Sequence, residues 1–237
     1  MENYGLDPAH YLTSPGLAWD AMLKMTKISL ELITDIDVQL FIEKGMRGGI
    51  SYIAHRRAKA NNKYMENFNE GEESSYIMYL GANNLYGWAM SKPLPYGNFK
   101  WAEPKYVEEK KQGIGYTYEV DLEYPDELHN LHNDYPCAAE KIKVTDDMLS
   151  RYCLDIKKRF KIKSGNVQKL IPTLHDKERY VLHEENLKLY LKLGLRFKQV
   201  YRVLQFKEKP WLKNILILIL RREKMRRMIL KKNFLNC

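Results

Sequence analysis

The stretch "YIMYLGANNLYGWAM", Tyr76 to Met90, decides how the chain is read. Its first five residues are uncharged and rich in β-formers, so they predict a buried strand. Gly81 and the asparagines that follow predict a turn. A strand end running into a turn is a common place to present a metal-binding carboxylate. Position 81 holds glycine, which has no ligand atom to offer.

Outward from that point the chain mixes helical and extended patterns. Upstream, Leu17 to Ile33 predicts a helix behind Pro15, with Trp19, Met22, Leu23 and Met25 on one face. Thr34 to Met46 predicts a second helix, opened by Asp35 or Asp37 and closed by Gly45. Gly48-Gly49 is a turn signal, Ile50 to Ala54 is strand-like, and the acidic run Met65 to Ser75 predicts a surface loop. Pro93 and Pro95 exclude a regular helix over Ser91 to Trp101.

Downstream, Gly115 to Pro125 alternates: Tyr116, Tyr118, Val120 and Leu122 share one face, and Thr117, Glu119 and Asp121 the other, as in a half-buried strand. Pro125 to Pro136 predicts a turn or short helix. Thr145 or Asp146 is placed to cap a helix running through "DMLSRY". Asp176 to Gly194 predicts one helix with Tyr180, Leu187, Tyr190 and Leu191 on a common face, and Arg196 to Glu208 returns to strand alternation. The order of elements predicts an α+β fold.

The chain has 237 residues and a formal charge of +9. From Lys213 onward there are eight basic residues and one acid; the remainder holds 31 basic and 29 acidic residues and is nearly balanced. A nucleic-acid surface on the main body must therefore come from charge placement rather than bulk charge. Three widely spaced cysteines, Cys137, Cys153 and Cys237, argue against a disulfide framework. With no signal peptide visible in Met1 to Asp20 and no apolar run long enough to span a bilayer, the chain is expected to be intracellular, not secreted, and without a membrane partner.

The segment "YLGANNLYGWAMSKPLP" resembles motif A of family B DNA polymerases, in the version carried by protein-primed polymerases of viruses, organelles, linear plasmids and large self-synthesising transposons. Ala82 to Met90 match it, and Gly81 stands where the motif has aspartate. "MRGGIS", Met46 to Ser51, resembles the Y-x-G-G linker between exonuclease and polymerase, with Met46 in the tyrosine position. "YGLDPAHYLTSPGLAWDAMLKMT", "NDYPCAAEKIKV" and the stretch from Lys169 to Phe206 resemble further segments of that branch, so the likeness runs roughly from Tyr4 to Leu212.

The resemblance implies a truncated fragment. Residues 1–45 would be the helical segment after a missing exonuclease domain, 46–101 the linker and start of the palm, 102–212 an insertion with palm-associated segments, and 213–237 an aberrant basic tail. The tail's Ile, Leu, Lys, Arg and Asn are what an A/T-rich gene yields out of frame, and a frameshift near Lys213 is expected. The implied roles are DNA-directed DNA synthesis in replication, with DNA and dNTP as partners and a protein primer in active relatives. The family's Mg²⁺ ions need two carboxylate motifs. Gly81 occupies one position and no Asp-Thr-Asp follows it, so no catalytic ligand set and no catalytically bound ion are expected. What the resemblance leaves is a nucleotide-binding turn, Asn83, Asn84, Leu85 and Tyr86, and a DNA-binding linker, Arg47, Gly48 and Gly49. A non-enzymatic DNA- or dNTP-binding remnant and an unstable product of a decayed viral or transposon gene are the alternatives.

Plainer readings stand beside these. Tyr86 and Trp88 also suit core aromatics, and Gly48-Gly49 a simple tight turn. His129, His132 and Cys137 lack the spacing of a four-ligand zinc site and are expected in a surface turn.

Overall fold

The computed structural model describes residues 4–55, 57–82, 84–109, 111–163, 165, 167–218 and 221. In chain order the regular elements are α1 (Ser14–Thr26), α2 (Ile36–Gly45), α3 (Leu85–Met90), β1 (Leu94–Ala102), β2 (Ile114–Glu123), α4 (His129–His132), β3 (Glu140–Lys143), α5 (Arg151–Arg159), β4 (Gln168–Ile171), β5 (Lys177–His183), α6 (Glu184–Lys192) and β6 (Arg196–Lys209). The class is mixed α+β, as the residue pattern predicts. An antiparallel four-strand sheet runs in the order β1-β6-β2-β5, and β3 pairs with β4 in a separate two-strand sheet. The chain divides into two units, one of Met1–Gln39, Leu80–Tyr116 and Leu204–Cys237, the other of Leu40–Tyr79 and Thr117–Val203.

In the first unit, α1 opens on Thr13, whose hydroxyl accepts from the Gly16 N–H at 3.3 Å. It closes at Lys27, which sits in the left-handed region at φ 52. The predicted helix therefore stops well short of Ile33. The reason is competition for the backbone: the Glu31 N–H donates to Tyr96 O at 3.0 Å and the Glu31 carboxylate accepts from the Asn98 N–H, so this segment lies along β1 instead of continuing to coil. Trp19 and Met25 are exposed, and Ala21 is the residue of α1 that is buried. Close packing recurs at Gly115, where a Cβ would stand 2.3 Å from the Phe206 ring. Only glycine fits there.

In the second unit β2 and β5 form the core. Tyr118 pairs with Leu182 and Val120 with Tyr180, and all four are buried. The predicted alternation of β2 holds on its apolar face but fails at Glu119, which is 1% exposed. Its carboxylate accepts from Lys44 Nζ at 2.8 Å and from Arg202 Nε at 2.7 Å. Two cations compensate a charge that burial alone would penalise by several kcal/mol. Lys177 on β5 is likewise buried. Its ammonium reaches Glu140 Oε2 at 2.9 Å, Thr173 O at 3.1 Å and Thr173 Oγ1 at 2.6 Å, which uses all three N–H groups.

Four sequence expectations are corrected here. Tyr76 to Leu80 is not a buried strand: the run is irregular and Tyr76, Ile77, Met78, Tyr79 and Leu80 are all exposed. The single Asn61–Ser75 bridge stops just before it, and no described strand pairs with it. β-propensity becomes a strand only where a ladder and a covered face exist. Ile50 to Ala54 forms no strand either. Asp176 to Gly194 is not one helix. Its first half is β5, paired antiparallel with β2, and α6 begins only at Glu184, with His183 Nδ1 accepting from the Glu185 N–H. Thr145 to Asp147 opens no α-helix; a 3-10 turn spans Asp146–Met148, and α5 starts later, capped by Ser150 Oγ on the Cys153 N–H. The second helix, the acidic loop, β6 and the closing role of Gly194, at φ 102, follow the pattern.

Burial pushes the Glu119 pKa up, but hydrogen bonds from Arg202 and Lys44 outweigh it and hold the carboxyl below its ordinary value. Its contribution to stability is therefore complete above the unfolded-state pKa and is lost as pH falls through the lower, folded value. Glu119→Gln is expected to cost about 1–3 kcal/mol in urea unfolding near neutral pH, because both cations also reach solvent. The variant should lose less stability than the parent on acidification; an identical acid profile would remove Glu119 from this role.

Candidate functional site

The residues singled out in the sequence fall in both units. In the first, Gly81 lies in an irregular segment, and nothing stands within 4 Å of the place where its Cβ would be. An aspartate side chain would fit that space.

Asn84 follows in the left-handed region, φ 56 and ψ 51, and caps α3 by accepting the Gly87 N–H at 3.0 Å. A side chain at Gly87 would collide with that cap, its Cβ standing 2.4 Å from Asn84 Nδ2. The "NLYG" spacing is thus a local folding device: an asparagine that tolerates φ > 0, then a glycine that admits its side chain. Asn83 lies outside the described residues. Leu85 and Tyr86 point away from any core; Tyr86 is 82% exposed. Trp88 is exposed too, with Lys92 Nζ 4.5 Å from its ring centroid. Neither ring is a core aromatic, which corrects the plainer reading of both.

In the second unit, Arg47 and Gly48 line a cleft of about 500 Å³ together with Tyr180, Tyr190, Cys137 and Ala138. Arg47 is committed to its own fold. Nη1 donates to Val181 O at 2.6 Å and to Gly45 O at 3.1 Å, and the guanidinium lies 3.8 Å from the Tyr180 ring centroid. Tyr180 donates its hydroxyl to Ala139 O at 2.9 Å, and burial raises its pKa. Gly48 and Gly49 are exposed with no atom within 4 Å of a would-be Cβ, and neither lies at positive φ. No turn forms there, which corrects that expectation. Their backbone is open to close approach by a ligand.

His129, His132 and Cys137 are not in a surface turn as a group. His132 and Cys137 are buried, gathered around Tyr124. The Tyr124 hydroxyl lies 2.7 Å from His132 Nδ1 and accepts from the Cys137 N–H at 3.1 Å; both imidazoles stand edge-on to its ring. Burial pushes the Tyr124 pKa up to about 12, so the phenol stays protonated and serves as a structural hub. Burial also raises the Cys137 thiol, which keeps it unreactive at neutral pH. The sequence has no periodicity that would bring these three residues together.

No protein-family model, no curated protein and no solved structure matches this chain. Among the described residues no helix is long and apolar enough to cross a membrane.

Arg47 binds two carbonyls and stacks on a ring at once, which an ammonium cannot reproduce. Arg47→Lys is expected to cost about 1–2 kcal/mol, read as a fall in the midpoint of urea unfolding. An unchanged midpoint would return Arg47 to the pool of groups available for a ligand.

Proposed function

We propose that this chain derives from a protein-primed family B DNA polymerase, as a partial palm with linker helices and an inserted subdomain, and that it does not itself catalyse nucleotidyl transfer. The observation that carries the proposal is the run Ala82 to Met90 beside a glycine at position 81. Transfer of a nucleotide requires divalent cations held by hard oxygen ligands, and a hydrogen in place of a carboxylate removes one of them. Water and backbone carbonyls do not replace the lost negative charge.

What the chain keeps on this reading is binding. The exposed Tyr86 ring offers a face to a nucleoside sugar or base, next to the turn that Asn84 opens. Gly48 and Gly49 offer bare backbone to a phosphodiester. Arg47 Nη1 bonds Val181 and Gly45 and the guanidinium stacks on Tyr180, which holds it beside the two glycines and leaves Nε and Nη2 to meet a phosphate. One observation favours the second reading, an unstable product of a decayed gene: the uncovered apolar run Tyr76 to Leu80. Exposed contiguous apolar surface of this kind promotes aggregation.

Primer extension with labelled deoxynucleotides in magnesium buffer is expected to give no incorporation, and Gly81→Asp is expected to stay silent because the chain contains no Asp-Thr-Asp partner. Template-dependent incorporation by the parent chain would overturn the proposal. A cooperative thermal transition in the purified chain would rule out the unstable-product reading.

A further inference from the structure

One stretch of the second unit carries positive charge out of proportion to its length. "RYCLDIKKRFKIK", Arg151 to Lys163, has six basic residues and one acid, while everything before Lys213 holds 31 basic and 29 acidic residues. This short segment more than accounts for the positive surplus of the body. Lys157 is tied to Asp146. Among the described residues Lys158, Arg159, Lys161 and Lys163 have no carboxylate partner, and all four are exposed.

Ile156 and Cys153 line a cleft of about 400 Å³ with Leu149, Val144 and Val167, and Tyr152 and Lys163 stand at the same cleft. The end of α5 is a doubly bonded C-terminal cap: the Ile162 N–H donates to Lys157 O at 2.9 Å and the Lys161 N–H to Lys158 O at 3.3 Å. Lys161 takes the left-handed position, φ 51, which glycine occupies with less strain. The cap presents Phe160, 63% exposed, with the Arg159 guanidinium 5.5 Å from its ring centroid. Tyr152, on the first turn, is also exposed.

We infer that Arg151–Lys163 is a docking surface for single-stranded DNA, with Lys158, Arg159, Lys161 and Lys163 meeting phosphates and Phe160 stacking on an unpaired base. Unpaired cations call for a polyanion, and an exposed ring flanked by cations gains from a strand whose base faces are open. A duplex hides those faces. The exposed polar groups of the segment are its cations, Asp155 and the Tyr152 hydroxyl, and cations that meet phosphates carry no sequence information, so binding is expected to be independent of sequence. The inference rests on charge and ring placement and needs nothing from the polymerase reading.

Fluorescence anisotropy with the full chain and a labelled oligo-dT of about 20 nucleotides tests it. Replacing Lys158, Arg159 and Lys163 by Gln and Lys161 by Gly is expected to weaken binding at least about tenfold near 50 mM salt, and to flatten the slope of log K against log salt by about 3. The basic tail is retained in this variant, and the glycine relieves the left-handed strain, so urea unfolding should not show a loss of stability at that position. Phe160→Ala is expected to weaken binding about tenfold with the slope unchanged. The inference is overturned if the parent does not bind, if the fourfold variant binds with parental affinity and slope, or if Phe160→Ala has no effect. Equal affinity for a duplex, or tighter binding to oligo-rU or to phosphatidylserine vesicles, overturns it as well. Failure of the polymerase proposal leaves all these readings unchanged, because none depends on Gly81, Tyr86 or the Gly48-Gly49 backbone.

Discussion

A carboxylate buried inside a protein is tolerated only when cations and hydrogen-bond donors meet it, and Glu119 meets both. It sits on β2 between Lys44, at the end of α2, and Arg202, on β6, and so joins three elements of the second unit through one side chain. Arg202 in turn lies 4.9 Å from the Phe41 ring centroid. The strand register of β2 against β5, and with it the burial of Tyr118, Val120, Val181 and Leu182, is compatible with only one direction for Glu119. A slip of one residue would aim the charge into the apolar face.

The same unit repeats this solution on a smaller scale. Lys177 finds three oxygens, Arg47 finds two carbonyls and a ring, and Tyr124 joins His132 to the Cys137 backbone. Polar groups inside this unit are thus spent on holding the fold. Arg47 thereby has a structural task, and Gly48 and Gly49 beside it are exposed. Among the described residues, α5 and its cap hold four exposed cations without carboxylate partners.

Some of this is legible in the residues alone. The alternation of Tyr116, Tyr118, Val120 and Leu122 marks β2, Asp35 and Gly45 mark the ends of α2, and the turn signals between helical and extended runs mark an α+β chain. The Asn84–Gly87 cap is readable as well, because both partners lie within four residues. The absence of a carboxylate at position 81 needs only the sequence. The run "KKRFKIK" is visible there too, but which of its cations find a carboxylate is decided by the fold.

What the residues determined by themselves were properties that act over a few positions: periodicity, caps, strained backbone and the chemistry a side chain lacks. Pairing decided the rest. Tyr76 to Leu80 has the composition of a strand and is left bare, since no described strand bonds to it, while Lys177 to His183 has a helical face and becomes a strand, since β2 accepts it. Hydrogen-bond ladders and buried charges are satisfied by partners far along the chain. Glu119 finds Lys44 and Arg202 at separations of 75 and 83 residues, and such distances lie outside any local pattern.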